Sequence, residues 1–194
     1  MAVTATNLHN LSVTSPLRQF FYTSTGEAMS TIVAANYFTA ASLTGSGTTG
    51  MLKANDLVYI KASDGDGTFK VGSNGTTAAL IPVGWVNTFT TQATSGAINA
   101  FGTNYMSATG DVNYTLAVPQ ETGQMVRIIQ GTTASNTFTT TGSISGDTDT
   151  VMTLNTLDDC ALLMAVSTSK WIQVAVAGAT VGTTNTSSVF HGTS

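Results

Sequence analysis

Between Asn104 and Val176 one local pattern recurs. A short run rich in Val, Ile, Thr, Tyr and Phe is followed by a turn signal. The runs are NYMSA (104–108), VNYTLAV (112–118), QMVRIIQ (124–130), NTFTTT (136–141), TVMTL (150–154), CALLMAVS (160–167) and KWIQVAV (170–176). Turn signals separate them at Thr109-Gly110-Asp111, Glu121-Thr122-Gly123, Gly131 and Gly146-Asp147. β-Branched side chains are stiff and fit a pleated, half-buried surface, so runs of this length read as strands. Strands so regularly spaced predict a β-sandwich or jelly roll over 97–178. CALLMAVS is almost wholly apolar and is expected to be buried on both faces.

The first half is also β-rich but less uniform. Residues 1–15 are polar and lack periodicity, which predicts an extended N-terminal arm. LRQFFY (17–22) reads as a strand. Ser24-Thr-Gly-Glu27 has the form of a capping box. Behind it Ala28, Met29, Ile32, Val33 and Tyr37 fall on one helical face, which predicts one short helix over about 27–38. LVYIKA (57–62) and TFKV (68–71) form a hairpin, with Asp64-Gly65-Asp66-Gly67 as a longer loop between them. Asn74-Gly75 marks another turn before AALIPV (78–83), and Pro82 belongs at an edge or strand end because it cannot donate to a ladder. Core density falls around 90–96. The expected organisation is therefore mainly β: an arm (1–15), a β-rich module with one helix (16–90), a β-sandwich or jelly-roll module (97–178) and a flexible Gly/Thr/Ser-rich tail (179–194). No heptad or short tandem repeat is present, which argues against a coiled-coil stalk or a repetitive fibre shaft.

Charge is scarce. Lys+Arg number 6 and Asp+Glu 10, or 8% of 194 residues, against roughly 25% in an ordinary soluble domain. Thr and Ser fill roughly 28% of the chain, far above their usual share. With 42% hydrophobic residues and a mean hydropathy of +0.19, a packed core is expected. A surface polar through hydroxyls lacks the self-repulsion that keeps monomers apart. It predicts a closed homo-oligomer, a homotrimer ahead of a dimer. The net charge is −4, and Arg18, Lys53, Lys61, Lys70, Arg127 and Lys170 are dispersed. No cluster tracks a phosphate backbone, so nucleic acid is not an expected partner. No apolar run reaches the length of a membrane span, and no basic region precedes an apolar stretch near the start, so neither a span nor a signal peptide is expected. Cys160 is the only cysteine, which excludes an intrachain disulfide; within CALLMAVS it reads as a small buried hydrophobe.

The residues able to carry chemistry are few. Asp64 and Asp66 resemble the start of a calcium loop, but loop position 12, where a bidentate acid is required, holds Gly75. A hairpin turn explains them better. Asp147 with Asp149, and Asp158 with Asp159, are also read as turn pairs at loop tips, where water keeps both groups ionised. Acid–base catalysis would need one raised pKa in a cleft. Glu27 and Glu121 have local roles in a helix cap and a turn, and His9 and His191 lie in terminal segments. No catalytic, metal or cofactor site is expected, and no enzyme activity. Trp85, Trp171, Tyr22, Tyr59, Tyr105 and Tyr114 could form a sugar-stacking surface, but strand aromatics are more often core and cross-strand pairs. The seven Met residues read as gap fillers.

Four stretches carry a resemblance. TLAVPQETGQMVRIIQGTTASNTFTTTGSISG, then ALLMAVSTSKWIQVAV, is similar to a module recurrent in structural proteins of tailed bacteriophages. Its marks are Pro119, Gly123, Gln130-Gly131, Thr137 to Gly142, and Trp171. FFYTSTGEAMSTIVAANYF and LKANDLVYIKASDGDGTFKV resemble such proteins too. The resemblance implies a virion component assembled in the host cytoplasm. The expected role is a capsid decoration (cement) protein on the outer capsid surface, bound to the major capsid protein at capsomer junctions. The alternative is a head fibre or tail fibre that binds host glycans. The resemblance implies no catalytic residues.

Overall fold

The computed structural model describes residues 8–12, 18–34, 37–38, 52, 54–72, 80–144, 149–178 and 180–182. These residues are mainly β, with a single short helix. The chain divides into two compact units, Met1–Thr88 and Phe89–Ser194.

The first unit contains β1 (Leu8–Ser12), β2 (Gln19–Thr23), α1 (Met29–Ile32), β3 (Leu57–Ala62), β4 (Gly65–Val71), β5 (Leu80–Pro82) and the start of β6 (Asn87–Gln92). Its strands run in the order β1-β2-β3-β4, and β5 and the first residues of β6 both pair with β4. β2 and β3 are parallel. A parallel pair needs a long crossover, and the chain between them carries α1. Period-2 alternation turns Phe20, Tyr22, Val58, Ile60, Phe69 and Val71 inward, and all are buried with Met29 and Ile32. Pro82 closes β5, a strand end where its missing N–H costs no ladder bond. At one end of the sheet the Arg18 guanidinium grips Asp56 through two hydrogen bonds, 2.9 and 2.5 Å, and lies 5.3 Å from the Phe20 ring centroid.

Several expectations fail here for local reasons. Part of the predicted arm, Leu8–Ser12, is a strand: β1 pairs antiparallel with β2 and buries Leu8. The residues around it, 1–7 and 13–17, lie outside the described residues. The predicted helix is a single turn, and 35–36 lie outside the described residues. Ser24 and Glu27 do not cap it. Ser24 Oγ donates to Glu27 Oε2 at 3.1 Å, and that same oxygen accepts from the Tyr37 hydroxyl. The N-cap residue is Ala28, and the first helical amide, Met29 N, donates instead to Asp64 Oδ1 at 2.7 Å. A single turn cannot sustain itself by propensity; here it is held from outside.

The Asp64–Gly67 segment is not a long loop. Ala62 pairs with Gly65, so the hairpin turns over Ser63 and Asp64 alone, and Gly65-Asp66-Gly67 already belongs to β4. The two glycines have a steric reason to be there. A Cβ on Gly65 would stand 1.8 Å from the Asn87 carbonyl oxygen, and one on Gly67 would stand 2.8 Å from Val86 Cγ1. They let the segment leading into β6 lie directly on β4.

The second unit holds the rest of β6, then β7 (Gly96–Ile98), β8 (Gly102–Met106), β9 (Asn113–Leu116), β10 (Met125–Gln130), β11 (Asn136–Thr139), β12 (Ser143–Ile144), β13 (Val151–Leu154), β14 (Cys160–Ser167), β15 (Lys170–Ala177) and β16 (Thr180–Gly182). From β6 to β14 the chain gives one strand to each of two sheets in turn. One sheet has the order β6-β8-β10-β14-β15-β12, the other β7-β9-β11-β13-β16. β6, β8 and β10 pair in parallel, as do β7, β9 and β11. The chain therefore winds as successive coils. β14, β15 and β16 then add antiparallel ladders to β10, β14 and β13. This differs from a jelly roll, which is built from antiparallel Greek keys. Period-2 patterning fixes which face a residue takes but carries no strand direction, so the spacing of the runs could not distinguish the two.

Both sheets feed one apolar core. Met106, Val126, Ile128, Leu163 and Trp171 from one pack with Tyr114, Leu116, Phe138, Met152 and Leu154 from the other. Tyr114 and Phe138 stack at 5.2 Å, and the buried Trp171 indole N–H donates to the Ala117 carbonyl at 3.1 Å. Buried amides hold the turns. Gln130 Nε2 donates to Ala134 O at 2.6 Å, and its Oε1 accepts from Asn136 Nδ2 at 2.7 Å. Gln124 and Asn104 make the same kind of bond, to Ala100 O and Asn99 O. The Ala134, Ala100 and Asn99 carbonyls thereby each gain a side-chain donor, and Gln130 and Asn136 satisfy each other. Beyond β13, Thr180–Gly182 of the predicted flexible tail is strand β16; residues 183–194 lie outside the described residues.

Candidate functional site

The acids that composition singled out are distributed among structural tasks. Asp64 faces α1 as its cap. Asp66 lies on β4, accepting from the Tyr59 hydroxyl at 2.6 Å and from Asn87 Nδ2 at 3.2 Å. Those two hydrogen bonds, Tyr59 first, with Lys61 nearby, hold its carboxyl below the ordinary carboxylate range. The same contact raises the Tyr59 pKa. The motif that resembled a calcium loop thus sends its two carboxylates to different partners. Asp158 and Asp159 separate as well. Asp158 is exposed at a positive φ of 69°, as a turn requires. Asp159 is buried, against expectation, and its Oδ2 accepts from Asn155 N and Thr156 N at 3.0 and 2.9 Å. Asp147 and His191 lie outside the described residues, and His9 is exposed on β1. Among the described residues no group of three or more His, Cys, Asp or Glu could hold a metal ion. We expect a chelator to leave the melting temperature unchanged. A fall of several degrees would restore the calcium reading of Asp64 and Asp66.

Tyr37 is held well above the ordinary tyrosine range. Burial raises its pKa first, then its hydrogen bonds with Glu27 and Tyr22, the latter at 2.7 Å. A tyrosine whose folded pKa lies above its unfolded value of 10.0 contributes stability that is complete below that pH and is lost as pH rises beyond it. Thermal melts at increasing alkaline pH are expected to show stability falling above about pH 10. In Tyr37→Phe the fall should be shallower. An identical slope in both proteins would contradict this role for Tyr37.

The aromatic residues divide between core and surface. Tyr22, Tyr114 and Trp171 are buried. Tyr59 and Trp85 remain exposed, at 37% and 41%. Tyr59 stacks on Phe21 across β2 and β3 with ring centroids 5.7 Å apart and planes 13° apart. In the second unit Phe89 stacks on Tyr105 at 5.8 Å, with Phe89 57% exposed.

Among the described residues, a further partly exposed apolar surface is one face of the β6-β8-β10-β14-β15-β12 sheet. β14 alternates strictly: Ala161, Leu163 and Ala165 are buried in the core, while Cys160, Leu162 and Met164 turn to the other face and stay partly exposed. The expected burial of this strand on both faces is therefore not met within one chain, and Cys160 is not fully buried. The ladders place Met125 beside Met164, Ile129 beside Cys160, and Ile172 beside Met164. Val166 and Val174 are 41% and 50% exposed. Arg127, opposite Leu162, and Lys170, two residues before Ile172 on β15, are charged residues on this face. The sequence signal for this face was present in CALLMAVS; it was read as a doubly covered strand because periodicity does not report what covers a face.

Among the described residues no helix is long and apolar enough to cross a membrane. No protein-family model matches the chain, and no curated protein is similar to it.

Proposed function

We propose that this chain is a structural component of a tailed-phage virion, a decoration protein that clads the capsid, with no enzymatic role. The observation that carries the reading is the contrast between its two kinds of surface chemistry. Among the described carboxylates, Glu27, Asp56, Asp64, Asp66, Asp111 and Asp159 serve as hydrogen-bond or ion-pair partners within the fold. One face of the β10-β14-β15 ladder, by contrast, holds Met125, Ile129, Cys160, Leu162, Met164 and Ile172, apolar and only half-buried. A protein built in this way offers contact area and no reaction centre. The low charge and the resemblance of 115–146 and 161–176 to phage structural modules point the same way. In this reading the second unit is a two-sheet sandwich wound from parallel coils, and the chain assembles as a homotrimer. Each trimer binds the major capsid protein at capsomer junctions, and many weak contacts on the lattice act multivalently.

A head fibre or tail fibre binding host glycans is the second reading. Two observations favour it. The exposed Phe21–Tyr59 stack beside Asp66 and Asn87 combines a flat apolar platform with polar groups. The coiled winding supplies repeated β units without any sequence repeat, which removes one argument against a fibre. Copy number per purified particle decides between the two. Hundreds of copies, recovered with the head fraction, support the decoration reading. A few to a few tens at the tail or one vertex support the fibre, and absence from particles overturns both.

A further inference from the structure

We propose that the outer edge of β15 is a strand-accepting site, and that its occupant is the chain's own C-terminal segment, residues 183–194. The proposal concerns main-chain groups at a sheet edge and does not depend on the virion reading.

The edge follows from the pairing. β15 is eight residues long and is laddered to β14 along one side. On its other side β12 pairs with Lys170 and Trp171 alone. Among the described residues no strand continues that ladder, so 172–177 hold main-chain N–H and C=O groups turned away from β14 with no strand beside them. Their side chains are open as well. Val174 and Val176 are 50% and 37% exposed, and Ala175 and Ala177 are exposed too. Folded proteins shield a sheet edge with shortness, charge or proline. The other edges of the second unit are short: β12 has two residues, and β7 and β16 have three each. β15 lacks every one of these defences. From Trp171 to Ala177 it holds neither a charge nor a proline, and Val174 and Val176 are β-branched. Such an edge selects an extended peptide, because a strand supplies donors and acceptors at the ladder spacing.

Position and chemistry select which strand. The chain leaves β15 at Ala177, turns through Gly178 at a positive φ of 75°, and ends β16 at Gly182. Twelve residues follow, TTNTSSVFHGTS. Fully extended they reach about 40 Å, against about 20 Å for the six residues of the edge. The segment can therefore cross from β16 and still cover the edge. It contains no Asp, Glu, Lys or Arg, so no charge is desolvated against the two valines. Thr183, Thr184, Thr186, Val189 and Phe190 all favour extended backbone. Tethering adds to the preference. A segment joined this closely acts at an effective concentration of about millimolar, so a strand from another copy at micromolar concentration competes at a disadvantage of about a thousandfold.

The test compares amide exchange in the full chain with that in a chain ending at Gly182, a truncation that removes none of the described residues. In the full chain the peptide covering 172–177 should exchange about tenfold more slowly than in the truncated one, while β10 stays equally protected in both. A synthetic peptide of residues 183–194, added in excess to the truncated chain, should restore the protection. The same peptide with Val189→Pro, which removes a donor and blocks the ladder, should not. If the truncated chain fails to fold, the full chain carrying Thr186→Pro and Val189→Pro serves in its place and should show the same loss at 172–177. Equal exchange at 172–177 in the full chain and in the truncated or proline-bearing chain overturns the proposal. So does protection restored as well by the proline peptide as by the native one. Protection that survives truncation and rises with protein concentration would assign the edge to a second copy's strand and overturn the tail as its occupant.

Discussion

Trp171→Ala is expected to destabilise the second unit by about 3–5 kcal/mol, the range for truncating a large buried aromatic. Trp171 is fully buried on β15, in a core shared by both sheets, and its indole N–H satisfies the Ala117 carbonyl. Truncation opens a cavity and also strips a partner from a main-chain acceptor 54 residues away in sequence. Trp171→Phe should separate the two effects. It keeps most of the ring volume and loses the hydrogen bond, so its cost should be nearer 1–2 kcal/mol. Urea unfolding followed by tyrosine fluorescence or amide exchange within 89–182 gives the values. Equal losses for Ala and Phe would mean that the hydrogen bond, not the volume, holds this end of the core.

Gly65→Ala carries the other large effect, on the first unit. The new methyl would lie 1.8 Å from the Asn87 carbonyl oxygen and 2.8 Å from its carbonyl carbon. Both are main-chain atoms, so no rotamer change relieves the clash. The backbone leading into β6 must move, and with it the Asn87–Asp66 bond. A loss of about 2–4 kcal/mol is expected, in the range of overpacking and backbone strain combined. Gly110→Ala is the contrasting case. Nothing lies within 4 Å of its added methyl, so the change should be neutral or stabilise by up to about 1 kcal/mol through the unfolded chain. Similar losses at both positions would show that close packing against Asn87 is not what requires glycine.

How much of this was legible in the sequence depends on the range of the interaction involved. CALLMAVS and KWIQVAV coincide with β14 and β15 because β-branched and apolar patterning is a local property. Pro82 at a strand end and Trp171 in the core follow from the chemistry of single side chains. The Asp-Gly-Asp-Gly segment was misread because turn chemistry and tight strand packing both call for glycine, and only the position of Asn87 tells them apart. Ser24 and Glu27 have the spacing of a capping box, yet Tyr37 competes for Glu27 and Asp64 reaches the helix from 35 residues away. Leu8–Ser12 reads as an arm because LHNLS has no period-2 apolar pattern; its strand character depends on pairing with β2, which sequence does not report. The open face of β14 was visible as apolar residues but not as a surface, since covering is a relation between elements.

The winding of the second unit also bears on how its chain is laid down during synthesis. Phe89 pairs with Thr103, and Thr103 with Arg127, so each coil docks on the one just made. Closing a loop of that size costs little more than closing a shorter one, because the entropy rises only with the logarithm of length. The parallel coils can then be completed in order as the chain leaves the ribosome, each templated by its predecessor. β12 is the exception. Ser143 pairs with Lys170, and Ile144 with Trp171. It must wait for β15, and the core stays unsealed until the indole of Trp171 arrives.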